Sequence, residues 1–128
     1  MCRVAKRRAL APRRRASDGS RSSPFTAAAN SGRTALLVAA MVGAPDLLMA
    51  ATGDLLHQEY RRPAMPATLD LVASLRGDRI AAVVSGAGPT VLALVLATDV
   101  EVVARRTPPG WVCLAPAVGV EGATVLPG

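Results

Sequence analysis

The sequence predicts an α+β domain, because helical apolar periodicity fills the middle of the chain and β-branched runs follow it. The clearest runs are Ile80-Ala-Ala-Val-Val84 and Val91-Leu-Ala-Leu-Val-Leu-Ala-Thr98, which meet at Ser85-Gly86-Ala87-Gly88-Pro89-Thr90. Two glycines and a proline oppose any continuous element there, so the stretch reads as strand, turn, strand. A chain of 128 residues has room for one domain, and 51% hydrophobic content is enough for a core. With one Phe, one Tyr and one Trp, that core must be built from Ala, Val and Leu.

Residues 1–26 are rich in Arg and Ser and broken by Pro12, Gly19 and Pro24, which predicts a disordered basic arm. The same composition also suits an organellar transit peptide or a segment foreign to the domain's ancestral reading frame. The first 21 residues hold eight basic groups against one acidic (+7), and the remaining 107 hold seven against eight (−1). The overall +6 therefore belongs to the arm, and a near-neutral body has no electrostatic footprint for nucleic acid.

A domain is expected over 27–128. Ala27 to Val42 reads as a buried helix, apolar on every side from Thr34 onward, with Gly43 placed to end it. Pro45-Asp46 opens a second helix, with proline at the first position and an acid at the positive dipole end. Leu47, Leu48, Leu55 and Leu56 continue a helical hairpin to about Tyr60, with a break at Gly53. Pro66 starts another helix with Leu69, Val72 and Leu75 in one stripe, closed by Arg76 and Gly77. Strands are expected near 79–84, 90–97, 111–116 and 122–126, with a turn from Thr107 to Gly110. Trp111 reads as a core or edge residue at the start of a strand.

Ile80 to Thr98 carries no charge and approaches the length of a membrane span. Its central glycines and proline cost a helix about 1 kcal/mol each and about 3 kcal/mol respectively, so no membrane partner is expected. Cys2 and Cys113 stand far apart and fit no metal or redox spacing, which makes a reducing compartment the default. Arg13 to Arg15 lead into polar residues rather than an apolar signal core, so export is not expected.

The glycine loop can carry chemistry. Gly86 and Gly88 reach positive φ freely and let a ligand approach the main chain, while Pro89 stiffens the turn. Amides flanked by the hydroxyls of Ser85 and Thr90 suit phosphate or carboxylate oxygens. On spacing alone, an ordinary hairpin connection fits equally well.

The ordered set Asn30-Ser-Gly-Arg-Thr-Ala-Leu-Leu37, Pro45-Asp-Leu-Leu48, His57-Gln-Glu-Tyr-Arg61, Met65-Pro66 and Ser85 to Leu94 resembles the C-terminal half of the homoserine kinases, within the GHMP small-molecule kinases. The resemblance runs from about Ala27 to Gly128. It implies helices on one face of a mainly antiparallel, ferredoxin-like sheet. It further implies transfer of the γ-phosphoryl of ATP to the hydroxyl of L-homoserine, with Mg²⁺, in the cytoplasm and in threonine biosynthesis. Ser85, Gly86, Ala87, Gly88, Pro89 and Thr90 match the loop bordering the nucleotide phosphates. Arg61 matches an arginine that binds the substrate carboxylate, a group its planar fork fits; a surface arginine paired with Glu59 or Asp54 is the alternative. Arg8, before Ala-Leu-Ala-Pro12, matches a second substrate arginine, although Val4 stands where the family has threonine. His57 and Asn30 lie in matched motifs and read as packing or capping; no catalytic residue and no metal ligand is assigned.

The family's Pro-x-x-x-Gly-Leu-Gly-Ser-Ser-Ala phosphate loop does not occur in these 128 residues. The chain alone is therefore expected to be inactive, since phosphoryl transfer depends on positioning and charge stabilisation. Apolar helices left uncovered imply self-association. A non-catalytic amino-acid-binding regulatory domain is the alternative reading.

Overall fold

Among the described residues, four strands and four helices form a pattern that one short N-terminal segment completes. The computed structural model describes residues 2–6, 23–116, 118 and 125. Strand β1 is Cys2–Lys6, followed by helix α1, Pro24–Val42. Then come α2, a single turn at Leu48–Ala51, and α3, Pro66–Gly77. Strands β2, Ala81–Val84, and β3, Val91–Leu94, precede α4, Val100–Arg106, and β4, Trp111–Leu114. The sheet order is β2-β3-β1-β4, with every neighbouring pair antiparallel. Read from the other edge, this is the βαββαβ arrangement of the ferredoxin-like fold, so the α+β expectation holds.

The expected disordered arm over 1–26 is corrected at both ends. Cys2–Lys6 is an inner strand, pairing with β3 on one side and β4 on the other. Its alternation is the reason: Cys2 and Val4 point into the core and are fully buried, while Arg3 points out. Helix α1 also starts three residues early, because the Ser23 hydroxyl accepts from the Thr26 amide at 3.1 Å and Pro24 occupies the first turn. Arg8 and the strand expected near 122–126 fall outside the described residues, apart from the backbone at position 125.

The expected hairpin to Tyr60 is shorter than its apolar pattern suggested. Helix α2 ends at Ala51, and beyond it the Asp54 carboxylate accepts from the amides of Leu56, His57 and Gln58 at 2.7, 3.0 and 3.2 Å. Those bonds satisfy a turn that has no helical partners. Helix α4 falls in a stretch, 98–106, for which no element was expected. Its valines mimic a β run, but Glu101 in the first turn and Arg105 and Arg106 in the last complement a helix dipole.

The core lies between one sheet face and helices α3 and α4. Cys2, Val4, Ala82, Val91 and Ala93 supply the sheet side, and Leu71, Val72, Leu75 and Val103 the helix side. Trp111 opens β4 half-buried against this cluster. Arg76 ties the layers together: its guanidinium donates to Met49 O at 2.6 Å, Thr52 Oγ1 at 2.9 Å and Ala82 O at 3.3 Å. Burial, with Arg33 nearby, lowers its pKa. Among the described residues, no helix is long and apolar enough to cross a membrane.

Candidate functional site

The hairpin between β2 and β3 builds the site. Val84 pairs with Val91, and the Ser85 amide donates to Thr90 O at 2.8 Å, closing the six-residue loop predicted from its glycines. Gly86 and Gly88 both take positive φ, 59° and 78°, and the Gly88–Pro89 bond is cis. The Gly88 amide is spent inside the loop on Ser85 O. Those of Gly86 and Ala87 take no hydrogen bond among the described residues.

Gly88 is fixed by space as well as by φ. A Cβ there would lie 2.8 Å from Met65 Sδ and 3.1 Å from Val84 Cγ1, so the loop packs against the entrance to α3. Thr68, buried at the start of that helix, donates to Pro89 O at 3.1 Å. On the other flank Gln58 Oε1 accepts from the Val84 amide at 2.6 Å, capping the end of β2. Sequence reasoning assigned no role to Gln58, Thr68 or Met65. Their presence within or beside the quoted motifs was the available signal.

Arg61 reaches the same loop. Its Nη1 lies 3.4 Å from Gly86 O, and it lines a cleft of about 260 Å³ with Asp54, His57, Gln58, Val84 and Gly86. The alternative partners proposed for Arg61 are otherwise engaged. Glu59 pairs with Arg62 at 2.9 Å, whose hydrogen bonds hold the Glu59 carboxyl below its ordinary value, and Asp54 is occupied by backbone amides. Arg62 also meets Asp70 at 2.8 Å. Among the described residues Arg61 has no carboxylate partner, so its charge faces the cleft uncompensated.

His57 is exposed, with Nδ1 3.8 Å from Asp54 Oδ1. Asn30 Oδ1 accepts from the Leu55 amide at 3.0 Å, fastening α1 to the turn. Asn30 thus acts in packing, whereas the exposed His57 side chain makes no hydrogen bond among the described residues. A second concavity of about 330 Å³ adjoins the first across Asp54 and Gln58 and carries Arg33 and Arg76 on its wall. Among the described residues, no group of three or more His, Cys, Asp or Glu side chains is arranged to hold a metal ion.

The arrangement sets a cation beside a loop with two unpaired amides, a chemistry suited to an anionic ligand. Comparison with known proteins identifies the family. Residues 35–107 match the family of GHMP kinases C terminal. The homoserine kinase of Streptomyces avermitilis is 54% identical over 101 residues, covering 79% of this chain and 33% of that protein. The homoserine kinase of Clavibacter michiganensis subsp. michiganensis is 50% identical over 101 residues, covering 75% and 32%. That of Rhodococcus erythropolis is 50% identical over 97 residues, covering 76% and 27%. The chain spans about a third of the length of these relatives. It belongs to the GHMP kinases, as a C-terminal domain of that family.

Proposed function

We propose that this chain is the C-terminal portion of a homoserine kinase, an enzyme moving the γ-phosphoryl group of ATP to the hydroxyl of L-homoserine in cytoplasmic threonine biosynthesis. The observation that carries the reading is the contact between Arg61 and Gly86. It brings the residue suited to an amino-acid carboxylate against the loop suited to phosphate. Arg61 holds the carboxylate in the cleft beside Gln58 and Val84, and Arg8 is the second candidate for that group. Gly86 and Ala87 offer their amides to a phosphate oxygen, while Ser85 and Thr90 frame the loop. Gly88 and Pro89 keep the loop seated on Met65 and Thr68. ATP supplies the phosphoryl group and Mg²⁺ offsets its charge.

These residues orient substrate and border the nucleotide, but supply no phosphate cradle at a helix N-terminus and no group to accept the hydroxyl proton. The 128-residue chain alone is accordingly expected to give no measurable phosphorylation of homoserine. The decisive test is a chimera in which residues 27–128 replace the matching third of the Streptomyces avermitilis enzyme. An active chimera whose KM for homoserine rises at least about tenfold on Arg61→Ala, the loss of one charged hydrogen bond, supports the reading. A folded but inactive chimera refutes it. Sub-millimolar homoserine binding by the isolated chain would favour a self-standing amino-acid-binding domain instead.

A further inference from the structure

Two groups that the kinase reading leaves unused meet in the sheet. Cys2 opens β1 and Cys113 sits in β4, where Val4 is the residue directly opposite it. The two cysteines are thus diagonal neighbours on the face that the helices cover. Although 111 positions apart in the chain, their sulfurs lie 2.8 Å from each other. Both are free thiols, Cys2 fully enclosed and Cys113 half-buried. The expectation that these residues fit no redox arrangement held only for their spacing along the chain. Antiparallel pairing of the first strand with the last described one closes the distance.

We propose that Cys2 and Cys113 form a redox-modification site, which a small-molecule disulfide of the glutathione type converts to an intramolecular cross-link between β1 and β4. Cys113, the member that solvent reaches, attacks one sulfur of the external disulfide as its thiolate. This forms a mixed disulfide and releases one small thiolate, which takes up a proton. Cys2 then yields its proton to solvent, and its sulfur attacks Cys113 Sγ and displaces the second small thiol. Two protein thiols are oxidised and one external disulfide is reduced to two thiols, so electrons and protons balance. The order of attack follows from the surroundings. Burial first, then the hydrogen bond and charge of Cys113, push the Cys2 thiol up to about 12, which leaves Cys113 to start the exchange, while the 2.8 Å between the sulfurs places Cys2 to resolve it. Because β1 alone pairs with both β3 and β4, the bond fastens the strand that joins the two halves of the sheet. Both sulfurs already face one another, so no strand needs to change register.

The test uses the reduced 128-residue protein incubated with glutathione disulfide, quenched with acid and digested with trypsin. The expected product is a monomer lighter by two hydrogens, in which the peptide ending at Arg3 is joined to the peptide of residues 107–128. A glutathione redox titration is expected to give an effective concentration for the pair at least about a hundredfold higher in the folded protein than in denaturant. C113S is expected to take up no glutathione while folded, and C2S to keep one glutathione on Cys113. Where serine at position 2 disturbs the core, Cys2→Ala serves the same purpose. Equal effective concentrations with and without denaturant would overturn the proposal. So would separate glutathiones on both cysteines, or cross-links formed only between chains.

Discussion

Helix α1 is the more apolar of the two long helices, yet α3 is enclosed and α1 is not. Helix α3 buries Thr68, Leu69, Leu71, Val72 and Leu75 against the sheet, whereas α1, with 19 residues, buries only Ala40. Phe25, Val38, Met41 and Val42 stand 83, 62, 63 and 84% exposed. Isolated apolar residues on a surface are ordinary, but a helix carrying several marks a face made to be covered. The contrast separates a core shared by the sheet, α3 and α4 from a helix, α1, whose apolar side chains the described residues leave uncovered.

The largest expected effect lies on the enclosed side. Leu75→Ala should cost about 2–5 kcal/mol, because a fully buried leucine leaves a cavity the sheet cannot fill, and the denaturant midpoint measures it. Alkali tests the same core from the β1 side. The raised Cys2 thiol contributes its full stability below its ordinary value of 9.0 and loses it as pH climbs toward about 12. The reduced protein should therefore weaken by at most about 1.4 kcal/mol for each pH unit in that window, and Cys2→Ala should flatten the slope. At the loop, Gly88→Ala forces a side chain into positive φ and against Met65 and Val84, for an expected loss of about 1–3 kcal/mol in thermal or chemical unfolding.

The smallest effects are expected where the chain faces solvent or a ligand. Arg61→Ala should leave unfolding unchanged within about 0.5 kcal/mol, since the only hydrogen bond its side chain makes among the described residues is a long one to Gly86 O. Val42→Ser on α1 should be equally mild for stability while reducing self-association in sedimentation experiments. If Val42→Ser destabilised the fold as much as Leu75→Ala, the distinction between the two helices would collapse.

Much of this was legible from residue order. The glycine loop, the two strands flanking it and the proline at the start of α3 all follow from local chemistry or from motif order. What escaped was non-local. Cys2-Arg-Val-Ala-Lys6 alternates correctly for a strand, but five residues beside an arginine-rich run carry too little pattern to outweigh their neighbours. Helix α4 hid behind valines, whose preference for strands yields here to packing of Val103 into the core. The roles of Gln58 and Thr68 depend on partners 26 and 21 positions away, which no spacing rule could supply.

The position of β1 has a consequence for how the chain is assembled. Its residues leave the ribosome before either strand that it lies between, and both partners, Val91–Leu94 and Trp111–Leu114, are made roughly a hundred residues later. The middle of the sheet must therefore be installed last, after a long closure that slows folding and leaves the edges of β3 and β4 open to strangers.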